Sequence, residues 1–215
     1  MNSRLSAARA LRTLSSLRRV SRPTEAMQPE PEEEERCDLC ATPVGPGHRH
    51  LIEPEERRLV CACDACTILF PADANVRFKP VPRDIKRLDG FSLSDQQWES
   101  LMIPINIAFF MFSSATGKMA AFYPSPAGAT ESLLDLDSWT EFASGHKAIA
   151  SMQPDVEALV VNRLWDPYQY FILPIDHCYR MVGLIRTKWR GLSGGDEVWA
   201  DLRDFFERVG RAARA

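Results

Sequence analysis

Cysteine is missing from most of this chain: of six cysteines in 215 residues, five lie between Cys37 and Cys66, and the sixth is Cys178. Confinement to one segment, with no recognisable secretory signal, excludes a disulfide framework spread through the fold. Long apolar runs are missing too; a membrane-spanning helix needs about 18 or more consecutive apolar residues, and none occur. Nor is there an excess of positive charge. With 26 Lys and Arg against 29 Asp and Glu, the net charge of -3 argues against a protein built mainly to grip nucleic acid. Walker loop, Rossmann glycine pattern, serine elbow and HExxH motif are all absent, which removes the commonest nucleotide-binding, hydrolase and metalloprotease readings.

What is present is a cysteine cluster with metal-ligand spacing. CDLC supplies Cys37 and Cys40, and CACDAC supplies Cys63 and Cys66. Two thiolates separated by two residues reach one ion from a tight turn, and a second such pair completes a tetrahedron at about 2.3 Å from zinc. Between the pairs, His48–Glu53 and Arg57–Cys63 flank Pro54-Glu55-Glu56 and predict a β-hairpin. After Cys66, TILF predicts a short helix. This order of knuckle, hairpin and cysteine pair entering a helix resembles the zinc-ribbon and treble-clef group over Cys37–Phe70.

Cys37, Cys40, Cys63 and Cys66 are therefore the expected ligands. Cys61, His48 and His50 are alternates, because period-two alternation puts Cys61 on the same strand face as Cys63. Zinc in a structural role is the expected metal. Iron, as a single rubredoxin-like ion or an iron-sulfur cluster, is the alternative. Neither CDLC nor CDAC is followed by the glycine usual in rubredoxin knuckles.

Around this module the chain divides by composition. Residues 1–36 read as a disordered arm, basic up to Arg22 and acidic from Glu32 to Glu35. Leu5, Ala8, Leu11, Leu14, Leu17 and Val20 recur every third residue, which smears the apolar stripe around a helix and argues against a mitochondrial transit peptide. A cytoplasmic location is expected. Residues 37–76 form the metal-binding module and 77–91 a linker, since Pro80 and Pro82 exclude helix.

Residues 92–215 predict an α+β domain with a mostly antiparallel sheet of about four strands packed with helices. Ser94 caps a short helix bearing Trp98 and Leu101. Ile103–Phe112 and Met119–Pro124 form a second hairpin, apolar enough for burial on both faces, and Val156–Leu164 with Tyr168–Ile175 add two strands. A helix is expected from near Thr130 or Asp137. Another follows Asp176 as its cap, and the last opens at Ser193 or Asp196, with Val198, Leu202, Phe205, Phe206 and Val209 on one face.

No catalytic residue is assigned. Asp176, His177 and Cys178 are adjacent, but neighbouring helical positions do not face one another, and Cys178 falls on the apolar stripe as a core thiol. Asn162, Arg163 and Arg190 are candidate anion or ligand contacts, since arginine forks onto carboxylates and phosphates.

CDLC, HRHLIE, CACDAC, KPVP, IPINIAFF, FYPSPAGATES, DVEALVVNR and YRMVGLIRTKWRGLSGG together resemble a bacterial family of unassigned function often encoded beside [NiFe]-hydrogenase genes. His177 departs from that family's pattern, where an acidic or small residue is expected. The resemblance implies an accessory or adaptor role near hydrogenase, with a hydrogenase subunit or maturation factor as partner. The alternatives are an iron redox protein serving hydrogenase and a zinc-finger regulator binding nucleic acid.

Overall fold

Apolar residues placed at both odd and even positions build the central sheet. A computed structural model describes residues 34–70, 77–132, 146–191 and 193–213. The strands are β1 (Arg49–Glu53), β2 (Arg58–Ala62), β3 (Lys79–Pro80), β4 (Lys86–Arg87), β5 (Ile107–Ser113), β6 (Lys118–Ser125), β7 (Gly128–Glu131), β8 (Glu157–Asn162) and β9 (Gln169–Pro174). The helices are α1 (Asp64–Ile68), α2 (Asp95–Ser100), α3 (Lys147–Ala150), α4 (Ile175–Lys188) and α5 (Asp196–Ala212).

The strands form two antiparallel sheets, a small one in the order β2-β1-β3 and a large one in the order β4-β9-β8-β5-β6-β7. The large sheet thus has six strands where about four were expected. The surplus comes from β4 and β7, too short or too polar to announce themselves: Lys86-Arg87 joins β9, and Gly128–Glu131 turns back on β6. A strand therefore occupies Thr130, where a helix was expected to begin; the alternative start at Asp137 lies outside the described residues. Most of the basic and acidic arm also lies outside them.

On one face of the large sheet, Ile107, Phe109, Met111, Val160, Phe171 and Leu173 pack against α4 and α5. On the other, Ala108, Phe110, Ala121, Leu159, Val161 and Ile172 meet Trp98 of α2, Ile149 of α3 and the segment carrying Phe91 and Leu93. Burial on both faces explains why these strands read as continuous apolar runs. The last helix behaves as its periodicity predicts, burying Val198, Leu202, Phe205, Phe206 and Val209. Ser94 caps α2 in a full capping box with Gln97. Asp176 is not the cap of α4: the helix starts two residues earlier than expected, at Ile175, with Pro174 in the cap position, which frees the Asp176 carboxylate for other partners.

Glu35–Ala215 is one compact unit, and the segment expected to be a linker joins both sheets. β3 pairs with β1 and β4 with β9. Pro80 is accommodated because β3 is an edge strand. Ile52 of β1 enters the large core and Leu59 of β2 packs on it. Lys79 reaches the buried Asp155 carboxylate at 2.6 Å, and Asp155 also accepts from the Ser114 amide at 2.8 Å. Among the described residues, no helix is long and apolar enough to cross a membrane.

Replacing Phe110, which is fully buried, with alanine is expected to cost about 3–5 kcal/mol, and Ser94→Ala about 1 kcal/mol. Urea denaturation of the purified chain measures both.

Candidate metal centre

The four cysteines of the two pairs converge. Their sulphurs all lie within 4.8 Å of one another, with Cys40 and Cys63 Sγ 3.7 Å apart. Ligands at about 2.3 Å from one tetrahedral ion would be separated by about 3.8 Å, so this spacing suits a single ion. The four cysteines could hold a metal ion.

Local structure places each sulphur. In the first turn, Ala41 N donates to Cys37 O at 2.8 Å, and Ala41 takes a positive φ of 60°. This is the position where a glycine was looked for, and alanine adopts the left-handed backbone instead. In the second pair, Cys63 is the N-cap of α1, its sulphur accepting from the Cys66 amide at 3.4 Å. The chain continues as helix after Cys66, so no glycine is required there. Asp38 fastens the first turn to the hairpin: its amide donates to Cys61 O at 2.9 Å, and its carboxylate accepts from Cys61 N at 2.6 Å. Asp38 was not singled out in the sequence. Its place inside CDLC was the available signal.

The thiols differ in acidity. Thr42, 3.3 Å from Cys40 Sγ, draws the Cys40 thiol down to about 6, while the neighbouring Cys40 and Cys63 push Cys66 up to about 12. Four thiolates cannot gather this closely without a cation, and an ion must displace the protons that remain.

The alternates separate from this group. β2 ends at Ala62, so the alternation that would put Cys61 and Cys63 on one face stops before Cys63. Cys61 instead lies opposite His50 in the hairpin register and groups with His48 and His50. His50 Nδ1 donates to Asp176 Oδ2 at 2.9 Å, a partnership of two residues far apart in sequence.

Each of the candidate anion contacts has partners within the chain. Asn162 donates to Gln169 Oε1 at 3.0 Å and accepts from the Leu164 amide at 3.1 Å, which uses its amide internally. Arg163 pairs with Asp95 and lies over the rings of Trp98 and Tyr168. Arg190 sits after α4, donating to the carbonyls of Thr187 and Trp189. Cys178 is fully buried in the core, and burial pushes its thiol pKa well up, as suits a packing residue. His177 is half-buried, and burial lowers its pKa.

A family model described as a family of unknown function, DUF5947, matches residues 36–213. The chain belongs to the DUF5947 family. The match takes in both cysteine pairs and both sheets, in agreement with the resemblance to a family of unassigned function. No curated protein and no solved structure matches this DUF5947 chain.

Two outcomes test the centre. Ala41→Gly is expected to stabilise the metal-loaded protein by up to about 1 kcal/mol, since glycine adopts positive φ without the Cβ penalty, and thermal denaturation checks this. Because Cys66 keeps its proton at neutral pH until an ion displaces it, affinity rises with pH and falls on acidification. Below about pH 6, where Cys40 also takes up its proton, the loss of affinity is expected to steepen. A chromogenic chelator follows the release, and the dependence of binding enthalpy on the ionisation enthalpy of the buffer counts the protons.

Proposed function

We propose that this protein is a non-catalytic accessory or adaptor whose four-cysteine centre holds a structural zinc ion. The convergence of Cys37, Cys40, Cys63 and Cys66 at single-ion spacing carries the reading. Closed sites of four thiolates mostly serve folding, whereas an iron-sulfur cluster spreads its ligands over several irons and holds them farther apart. The small sheet needs such a cross-link. Its outer face buries only Leu51, Val60 and Ala62, with Phe70 and Phe78 packed beside them. The order of turn, hairpin and helix N-terminus around the cysteines supports a treble-clef-like module.

The adaptor role rests on what surrounds the centre. Ile68 and Leu69 follow the last ligand and are largely exposed, at 81% and 71%. Two adjacent apolar side chains held beside a rigid metal site offer a recognition surface, and a component of a [NiFe]-hydrogenase or its maturation apparatus is the partner that the sequence resemblance implies. The cytoplasm is the matching location.

Elemental analysis and absorption of protein purified without air test the metal. A colourless protein with tightly held zinc is expected, and Cys37→Ser or Cys66→Ser should lose that ion and unfold the small sheet, seen as lost amide protection over residues 49–62. Stoichiometric iron with visible charge-transfer bands would make electron transfer the function instead. Ile68→Glu with Leu69→Glu should keep the zinc and lose capture of hydrogenase components; unchanged capture would remove this surface from the reading.

A further inference from the structure

We propose that the chain carries a second metal site, built from His48, His50 and Cys61, which takes a divalent transition ion, zinc foremost, and leaves one coordination position open. The hairpin register creates it. His50 and Cys61 are direct cross-strand partners, and His48 stands just before the start of β1, its ring tilted against that of His50. One ring nitrogen from each histidine and Cys61 Sγ lie within 4.8 Å of one another, and the ring centroids are 4.7 Å apart.

The hydrogen bonds prepare both imidazoles as ligands. His48 Nδ1 lies 3.2 Å from the carbonyl oxygen of Gly45, and His50 Nδ1 lies 2.9 Å from Asp176 Oδ2. Both partners are acceptors, so in the neutral rings each Nδ1 carries the proton and each Nε2 keeps its lone pair. A carboxylate behind a histidine is the arrangement that orients metal-bound imidazole and raises its basicity. His48 supplies an independent sign. Its side chain is only 10% exposed, yet its Nε2 is buried without a hydrogen-bond partner among the described residues. A buried lone pair with nothing to accept from is what a site made for a cation presents.

Two imidazoles and a thiolate suit zinc and its neighbours in the first transition row, not calcium or magnesium, which prefer oxygen. Three protein ligands with an open fourth position characterise sites that exchange a water, a substrate or the ion itself. His48 and His50 line a cleft of about 380 Å³ together with Arg83, Asp176, His177 and Arg180. That cleft brings solvent up to the histidine side of the cluster, and its two arginines favour a small anion there.

The test adds cobalt to full-length protein whose tight zinc equivalent is already filled. The wild-type chain is expected to take one further equivalent, with visible d–d bands and a weak charge-transfer band from one thiolate. Cys61→Ser and His50→Asn should each lose that equivalent while keeping the first zinc and an unchanged far-ultraviolet spectrum. Asp176→Asn should keep the stoichiometry and weaken the second ion about 10- to 100-fold, as expected for a residue that positions a ligand. Should the variants fail to fold, X-ray absorption at the cobalt edge of the wild type decides: two imidazole nitrogens and one sulphur are expected. A wild type that takes no second ion, a Cys61→Ser variant that still takes it, or a shell without sulphur would each overturn the proposal.

Discussion

The register of the β1–β2 hairpin is the constraint on which the rest of this structure depends. Pairing His50 with Cys61 and Leu51 with Val60 sends Leu51, Val60 and Ala62 to one face, and His50, Ile52, Leu59 and Cys61 to the other. A one-residue slip would exchange the two sets. It would expose Ile52 and Leu59, which belong to the large core, and bury the histidine and thiol in an apolar pocket. Packing of the hairpin on the domain and the assembly of its polar cluster are thus one event. The register also sets the four-cysteine centre, because the Cys61 backbone clamps Asp38 and so fixes Cys37 and Cys40 relative to the α1 N-terminus.

Polar ties across the same boundary hold the hairpin where its register puts it. Tyr179 of α4 donates to Arg57 O at 3.1 Å, Arg57 reaches Glu131 of β7 at 2.6 Å, and Lys79 reaches Asp155. The exposed members add little individually. The Lys79–Asp155 pair differs, because Asp155 is 1% exposed and receives an amide as well as the ammonium, so removing Lys79 strands a buried carboxylate. Such anchoring makes the small sheet a fixed part of the compact unit.

Much of this was legible because the responsible patterns are local. Two-residue spacing brought the cysteines together, alternation and turn residues located both hairpins, and three- and four-residue steps located α4 and α5. The failures share a cause too. β3, β4 and β7 are two to four residues long and exist because a longer neighbour offers free backbone groups, a fact that no local periodicity encodes. Cys61 was grouped with Cys63 because alternation was carried past the true strand end at Ala62. Asp176 was read as a helix cap because the partner that claims it, His50, lies 126 residues away.

The run Asp176-His177-Cys178 shows how little adjacency says about shared chemistry. Successive residues on an α-helix point about 100° apart. Here they enter three surroundings: Asp176 turns to the hairpin and holds His50, His177 lines the cleft beside Arg180, and Cys178 is sealed in the core. A thiol whose pKa burial pushes well up is poorly suited to serve as a nucleophile. The chemistry of this segment therefore belongs to Asp176, through its contact with a strand more than a hundred residues earlier. The first turn of α4 is better understood as a wall of the hairpin's polar cluster than as a catalytic sequence.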